Sequence, residues 1–281
     1  GYRLEASTTA NFTGIILSSS TSGVALSTLT VSSLNPNTTY FFRIATLNWN
    51  NLPNYASAGS TSTLANPVQT IEPAFLDVFT SSITARWAAL PISPSSSTSE
   101  GYLLEASSTN FNGTGTILSS STPNVTLSTL TVSSLSPNTT YFFRVGTLNW
   151  NNVPNYTVLS ATSTLANTPA SAVSTFTMVC VSSITAQWTA NSNPSATRYT
   201  LQLSTASDFT GTLFSSTTLN LSATLTTLGP NTTYYAQVRA INNNEVASAF
   251  LSLTSTITLA SQPGAVSPAF DPVFISSLTV S

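Results

Sequence analysis

One phrase occurs three times in this chain, and its repetition limits the fold more than any other feature. The copies begin at Leu34, Leu135 and Leu228 and read LNPNTTYFFRI, LSPNTTYFFRV and LGPNTTYYAQV. Proline fixes φ and asparagine tolerates tight turns, so the first half of each copy predicts a turn. The second half alternates with period two, which predicts a strand opened by a tyrosine. The hydroxyl of such a tyrosine can bond back to the corner that precedes it.

The spacing of the copies predicts repeated all-β modules. They recur at intervals of roughly a hundred residues, the size of one β-sandwich. A second strand also appears three times, as YRLEA from Tyr2, YLLEA from Tyr102 and YTLQL from Tyr199. Between these strands lie glycine-containing turns, typical of antiparallel connections.

The composition excludes several classes of function. The six basic residues are all arginines, eight residues are acidic, and the formal net charge is −2. Such a balance offers no field for recruiting nucleic acid or anionic lipid. No apolar run approaches the length of a membrane helix, so membrane insertion is not predicted. Because the sequence starts at Gly1 rather than at a methionine, we interpret it as a mature or excised stretch.

The sequence contains few residues of the types that usually carry out catalysis. The chain has no histidine and a single cysteine, Cys180, and its acidic residues are scattered singly among the repeats. Imidazole bases, thiolate clusters and paired carboxylates are therefore not predicted, and we expect neither an enzyme nor a metal or cofactor. Cys180 aligns with Phe79 and Phe274 on an apolar strand pair, so we expect it to be buried and inert.

Two tryptophans complete a pattern that identifies the module. Trp87 and Trp188 follow the matching runs SSIT at 81–84 and 182–185. An early-strand Trp, then Tyr-x-Leu, then Leu-x-Pro-x-Thr-x-Tyr-x-x-x-Val near the end resembles the fibronectin type III repeat. The resemblance covers essentially the whole chain and rests on several spaced motifs. No Arg-Gly-Asp triplet occurs, so the best-known integrin contact of that family is absent.

The resemblance implies all-β tandem fibronectin type III (immunoglobulin-like) β-sandwiches in a linear rod. In each, strands A, B and E face a sheet of strands C′, C, F and G. The predicted divisions are an incomplete module at 1–65 (strands C to G), modules at 66–166 and 167–261, and strands A and B of a further module at 262–281. Links of a few residues leave little freedom between neighbours, which favours a stiff arrangement.

The two ends of the sequence raise a question with two open answers. The first module lacks strands A and B, and the last residues match an A–B pair that stops before its tryptophan. The sequence is then either a window on a longer repeat protein or a subunit whose last strands complete the first module of the next copy. The candidate inter-subunit contacts are Phe270, Val273, Phe274, Ile275, Leu278 and Val280.

Comparing the repeats predicts a cross-strand ion pair. Two copies carry Glu5 with Arg43 and Glu105 with Arg144, whereas the third carries glutamines at both places. Since the resemblance makes strands C and F neighbours, the joint replacement predicts that acid and base touch. We expect Glu5–Arg43 and Glu105–Arg144 contacts on an exposed sheet face.

The predicted F–G hairpin is the most distinctive surface candidate. It reads NWNNLPNY from Asn48 and NWNNVPNY from Asn149, and the third copy lacks the tryptophan. An aromatic pair among asparagines suits stacking on a sugar ring, packing on another module or protofilament, or local packing within the hairpin. These three interpretations stay open for a set of four candidate residues: Trp49, Tyr55, Trp150 and Tyr156.

Glycosylation motifs are frequent in this sequence, but their number is not evidence that the chain carries glycans. With so many Asn, Ser and Thr residues, roughly eight Asn-x-Ser/Thr matches are expected by chance. If glycans exist, the turns of the repeated phrase should carry them because we expect these turns to be exposed. The predicted sites are Asn37, Asn138 and Asn231.

These observations favour a non-catalytic structural subunit of an extracellular filament or surface fibre, assembling head to tail. A nearly uncharged Ser/Thr/Asn surface does little to oppose self-association. The predicted partners are copies of the chain itself, strand-complemented or lateral, and a surface polysaccharide. The alternative is a spacer or carbohydrate-binding accessory region of a larger adhesin or secreted hydrolase.

Overall fold

The computed structural model describes residues 1–264, 270–273 and 278–280, and it is built of β-strands. Two compact units are present, Gly1–Leu165 and Ala166–Ser281. The first unit contains the first and second modules of the sequence, and the second unit contains the third. The all-β prediction is confirmed.

The first module contributes one sheet. Its strands are β1 (Tyr2–Ser7), β2 (Ile16–Thr21), β3 (Thr39–Leu47) and β4 (Pro53–Ser62), in the order β2-β1-β3-β4. All pairings are antiparallel, and Glu5 lies opposite Arg43. This sheet corresponds to strands C′, C, F and G of the predicted sandwich.

The second module contributes two sheets. Its elements are β5 (Gln69–Val78), β6 (Ser82–Ala88), a 3₁₀ turn (Ser95–Ser97), β7 (Gly101–Ser107), β8 (Ile117–Thr122), β9 (Thr129–Ser133), β10 (Thr140–Leu148) and β11 (Pro154–Ser163). The sheets run β5-β6-β9 and β11-β10-β7-β8. Between them lies a core that includes Trp87, Tyr102 and Phe143, all fully buried.

The third module repeats this plan. Its strands are β12 (Ala170–Val179), β13 (Ile184–Thr189), β14 (Arg198–Ser204), β15 (Leu213–Thr218), β16 (Ser222–Leu225), β17 (Thr233–Ile241) and β18 (Leu251–Ile257). The sheets run β12-β13-β16 and β15-β14-β17-β18. Trp188 is buried against Tyr199, with ring centroids 5.8 Å apart. Both core tryptophans therefore fill the positions predicted for them.

A short hairpin follows in the last described residues. Strand β19 (Phe270–Val273) pairs with β20 (Leu278–Val280), with Phe270 opposite Val280 and Val273 opposite Leu278. In the second module, Phe75 lies opposite Ala85 and Val78 opposite Ile83. Aligning the sequences places these four residues at the same positions, so the last hairpin has the register of an A–B pair.

The tyrosine corner predicted from the repeated phrase forms in all three copies. The hydroxyls of Tyr40, Tyr141 and Tyr234 accept hydrogen bonds from backbone N–H groups five residues earlier, at 2.9, 3.0 and 2.8 Å. The asparagine of each turn has a positive φ of 43–48°. Asparagine tolerates this left-handed conformation better than most residues, which explains its place in the phrase.

Candidate functional site

Arg43 lies at the centre of a polar and aromatic cluster on the first module. Its Nη2 is 2.7 Å from Glu5 Oε2, and its Nε donates to the same oxygen at 2.8 Å. The guanidinium lies between two rings, 4.1 Å from the centroid of Phe12 and 3.8 Å from that of Tyr55. The Tyr55 hydroxyl donates to Glu5 Oε1 at 2.7 Å. Cation–π contacts and charge-assisted hydrogen bonds thus hold one arginine from several sides.

The second module builds the same cluster around Arg144. Arg144 Nε donates to Glu105 Oε2 at 2.7 Å. The rings of Phe111 and Tyr156 lie 4.1 and 3.8 Å from its guanidinium. In the third module an amide pair takes the place of the ion pair, and Gln237 Nε2 donates to Gln202 Oε1 at 2.8 Å. The predicted cross-strand contacts are confirmed in both modules.

The expectation of an exposed ion pair is wrong for Glu5. Glu5 is only 6% exposed because Arg43 on β3 and Tyr55 on β4, two strands away, both hydrogen-bond to its carboxylate. Burial alone would raise the pKa of Glu5, but hydrogen bonds from Tyr55 and Arg43 and the charges of Arg43 and Arg3 outweigh burial and lower that pKa. In the second module, burial and the hydrogen bond to Glu105 raise the pKa of Tyr156.

The clusters also correct the interpretation of two predicted ligand-stacking residues. The rings of Tyr55 and Tyr156 lie on arginines of their own modules, so one face of each ring is already occupied. The sequence reasoning missed this role, as well as that of Phe12 and Phe111. A signal existed for the tyrosines, because the third module has Phe250, which carries no hydroxyl, at their position and also lacks the Glu–Arg pair.

The Trp150 hairpin, residues Asn149–Tyr156, contacts the first module through its asparagines and its indole. Asn149 Nδ2 donates to the carbonyls of Ser62 and Thr63 at 3.2 and 3.1 Å. Trp150 Nε1 donates to the Asn37 carbonyl at 3.2 Å. Most of the acceptors are main-chain carbonyls, so the contact depends little on the side chains of the first module.

Two further asparagines of the Trp150 hairpin extend this contact. Asn151 Nδ2 donates to Thr61 Oγ1 at 3.0 Å, and Asn155 Nδ2 donates to the Ala65 carbonyl at 2.8 Å. We call the acceptor surface, Asn37 with residues 61–65, the distal end of the first module. The hairpin of one module and the distal end of the preceding module therefore form one hydrogen-bonded junction.

The turn asparagine of the first module takes part in the same junction and corrects a glycosylation prediction. Asn37 is 1% exposed, and its Nδ2 donates to Glu100 Oε1 at 3.0 Å and to the Ser95 carbonyl at 3.2 Å. Asn138 is also buried, at 2% exposed, whereas Asn231 is exposed. The prediction that the turns at Asn37 and Asn138 are exposed is therefore wrong. Neither asparagine suits glycosylation, because a buried amide has no room for a glycan.

The Trp49 hairpin, residues Asn48–Tyr55, has the same internal structure but a different environment. Asn48 Oδ1 accepts from the N–H groups of Asn50 and Leu52, as Asn149 Oδ1 does from those of Asn151 and Val153. Trp49 is fully exposed, and Trp150 is 56% exposed. The two hairpins thus share one conformation, and one of them lies against a module.

The remaining predicted residues fall into two groups. Phe270, Val273, Leu278 and Val280 lie in β19 and β20, whereas Phe274 and Ile275 lie outside the described residues. Cys180 is half-buried rather than buried, because it lies at the turn between β12 and β13, where its N–H donates to the Ser183 carbonyl. In the described part of the chain, no group of three His, Cys, Asp or Glu residues is placed to hold a metal ion.

Comparison with known proteins identifies the module. Residues 171–251 match the fibronectin type III domain family. This match covers most of the third module, which is therefore a fibronectin type III domain. No curated protein matches it significantly in sequence. Fibronectin type III domains are typically non-catalytic structural or binding modules, and proteins that carry them are commonly extracellular or surface-exposed.

Two solved structures of tandem fibronectin type III domains are similar to the chain. A two-domain fibronectin type III segment of chicken tenascin is 17% identical, covers 68% of this chain with 99% of its own, and has a TM-score of 0.43. The FN1–FN3 domains of chicken CNTN1 are 18% identical, with coverage of 92% of this chain and 90% of theirs, and a TM-score of 0.28. Across the described residues, no helix is both long and apolar enough to span a membrane.

Proposed function

We propose that this chain is a non-catalytic structural subunit of an extracellular filament or surface fibre that assembles head to tail. The observation that carries the proposal is the junction between the first and second modules. It joins the modules through five side-chain donors, Asn37, Asn149, Trp150, Asn151 and Asn155, and a link of only a few residues. A fibre needs module contacts that repeat in one geometry, and this junction is built from a hairpin that the chain contains twice.

An unpaired sheet edge in the first module supports assembly between copies. In the second module, β9 pairs with β6. The corresponding stretch of the first module, residues 26–34, pairs with no strand among the described residues. Unpaired β edges are templates for strands of another chain.

The last hairpin has the register that such a partner needs. Strands β19 and β20 pair as β5 and β6 do, so a neighbouring copy offers an A–B pair of the right type. Inserted beside residues 26–34, this pair would complete the first module of the next copy. The contact is heterologous, so it forms an open filament when the rotation between copies does not close into a ring.

The weakly charged surface favours the same function. Charged residues make up 5% of the sequence, and no lysine is available to protect sheet edges. Edge lysines and net charge are the usual means by which β proteins avoid association.

Electron microscopy of the purified chain tests the proposal. We expect fibres with a periodicity set by the modules of one chain. A chain ending at residue 261, which lacks the last hairpin, should form discrete particles. Val273→Asp with Leu278→Asp in the full-length chain should have the same effect, since a buried charge opposes strand insertion. Discrete particles of the unaltered chain at all concentrations would contradict the proposal.

The exposed indole of Trp49 favours a second candidate function, a polysaccharide-binding accessory or spacer region of a larger adhesin or secreted hydrolase. The ring is fully exposed and lies at a groove lined by Gly1, Thr21, Val24 and Leu47. Exposed aromatic rings flanked by amides suit stacking on sugars. Affinity electrophoresis in polysaccharide gels tests this function: retardation that disappears with Trp49→Ala supports it, and unchanged migration of the unaltered chain contradicts it.

A further inference from the structure

We infer that the Trp49 hairpin is the docking surface for the distal end of the third module in a second copy of this chain. The inference rests on the proposed function and deepens it by assigning the residues of the contact between copies. The template is the junction within the first unit, where the Trp150 hairpin lies on the distal end of the first module.

The donor side of that junction is present a second time. Asn48, Trp49, Asn50 and Asn54 occupy the positions of Asn149, Trp150, Asn151 and Asn155, and every residue type is kept. The backbone is also the same, because Asn51 and Asn152 adopt φ of 59° and 57°. The Trp49 hairpin is therefore already in the binding conformation, which reduces the entropy lost on docking.

The Trp49 hairpin also has donors to spare. In the part of the chain that the structure describes, Asn48 Nδ2 and Trp49 Nε1 donate to no protein acceptor. Asn149, the first residue of the Trp150 hairpin, is 1% exposed in its junction. Asn48, the first residue of the Trp49 hairpin, is exposed. The difference in exposure marks the area that the junction covers.

The acceptor side is present a second time on the third module. Four of the five acceptors in the template are main-chain carbonyls, which every sequence provides. The fifth is the hydroxyl of Thr61, and Thr256 supplies the same hydroxyl at the same position of β18. The distal end of the third module is Asn231 with residues 256–260.

Exposure shows that this acceptor surface is uncovered. Ala65 is 1% exposed in the template, whereas Ala260 at the same position is exposed. Asn37 is buried, and Asn231 is exposed. Leu259 is 55% exposed. One chain therefore carries both halves of a junction uncovered, which is the arrangement that a head-to-tail contact between two copies requires.

The contact agrees geometrically with strand donation. Suppose that one copy, the donor, inserts β19 and β20 into the first module of the next copy. The completed first module of the next copy would then lie beside the third module of the donor. The link between β18 and β19 would then correspond to the link between β4 and β5, which precedes the template junction. The contacts of this junction that the inference assigns are those of the hairpin donors.

Sedimentation velocity of the 281-residue chain over a concentration series tests the docking surface. Trp49→Ala should weaken self-association at least about tenfold, since it removes the indole donor and the half of the ring that the template junction covers, where Trp150 is 56% exposed. Trp150→Ala is the matched control, because its acceptor lies in the same molecule, and it should leave self-association within about twofold. Val173→Ala, which removes another fully exposed apolar side chain, should also leave it unchanged.

Cross-linking tests the predicted geometry. In a Cys180→Ser background, Asn50→Cys with Thr256→Cys should give a ladder of multimers with a short bis-maleimide, since the template atoms are 3.0 Å apart. Asn50→Cys with Ser252→Cys is the control, because four residues along a strand move the thiol by about 13 Å. This pair should give no ladder.

The outcomes separate the inference from the proposed function. Fibres that survive Trp49→Ala and give no ladder would overturn the docking surface and leave head-to-tail assembly standing. An unaltered chain that stays monomeric and gives no ladder would overturn both. Loss of polysaccharide binding, with self-association unchanged in Trp49→Ala, would overturn the docking surface in favour of the carbohydrate function.

Discussion

The first and second modules have nearly the same sequence and differ in what they bury. Residues 23–34 read GVALSTLTVSSL and residues 124–135 read NVTLSTLTVSSL. The second stretch contains β9, paired with β6, whereas the first contains no strand. Val132 is fully buried, and Val31 at the same position is half-buried. The strand is therefore decided by its partner and not by its own residues, as expected where β preference reflects packing.

The same comparison applies to the opposite sheet. Val145 is fully buried in the core that contains Trp87 of β6, whereas Ile44 at the same position is 40% exposed in a module whose described residues include no A–B pair. Both sheets nevertheless keep their strand order and their Glu–Arg pairs. The cross-strand Glu–Arg cluster thus forms whether or not the opposite face of the sheet is covered. It depends on local contacts within one sheet, whereas the strand β9 depends on its partner β6.

Removing the core tryptophan of the second module should have the largest effect. We expect Trp87→Ala to lower the free energy of unfolding of that module by about 3–5 kcal/mol, because a fully buried ring leaves a cavity between the sheets. Urea denaturation followed by circular dichroism measures the loss. Trp49→Ala is the matched control, and a fully exposed ring should change stability by no more than about 0.5 kcal/mol. Equal losses for the two variants would contradict the assigned cores.

Hydrogen exchange should distinguish the two near-identical stretches. Amides of residues 23–34 should exchange at least about a hundredfold faster than those of residues 124–135, since locally unpaired strands open at little cost. Mass spectrometry of peptic fragments reads both stretches in one sample. In assembled material, strand donation predicts that the first stretch gains protection. Equal exchange in a monomeric sample would show that the first module closes without a partner.

Much of the architecture could be predicted from the residues, because the repeats report on one another. The tyrosine corners, the core tryptophans and the Glu–Arg pairs each appear as a pattern shared by two or three copies. The burial of Asn37 could not be predicted, because its cause is the second module and not the turn. The stacking of Phe12 on Arg43 also escaped prediction, since the third module keeps a phenylalanine, Phe209, without an arginine to receive it.

A double-mutant cycle should show how far the second module depends on its ion pair. Glu105→Gln alone should cost about 1–3 kcal/mol, because it removes the carboxylate from a guanidinium enclosed by Phe111 and Tyr156. Adding Arg144→Gln should cost less than the sum of the single changes, since two amides can pair as Gln202 and Gln237 do. Urea denaturation of the four proteins gives the coupling energy. Strict additivity would indicate that the pair makes no mutual contribution.

The smallest effect should be the pH dependence of the two clusters. A carboxylate whose pKa is lower in the folded chain stabilises the fold above its unfolded value, and that stabilisation is lost as the pH falls through the folded pKa. The lowered pKa of Glu5 therefore predicts weakening of the first module below about pH 4, near the ordinary value of a glutamate. Protonation still leaves a carboxyl group that can bond to Tyr55, so the loss should be smaller than that of Glu105→Gln.

The second module should lose stability at alkaline pH, whereas the first module loses it at acid pH. The raised pKa of Tyr156 stabilises the fold below the unfolded value of a tyrosine, and this contribution disappears as the pH rises through the folded pKa, above about pH 10. Thermal melts across pH, compared between the unaltered chain and a variant with Glu5→Gln and Arg43→Gln, isolate the acid limb. If the variant retains the full acid dependence, Glu5 is not its source. The third module lacks both the carboxylate and the tyrosine of the cluster, so its pH dependence has other sources: burial raises the pKa of Tyr199, and hydrogen bonds from Thr210 and Arg198 lower the pKa values of Asp208 and Glu245.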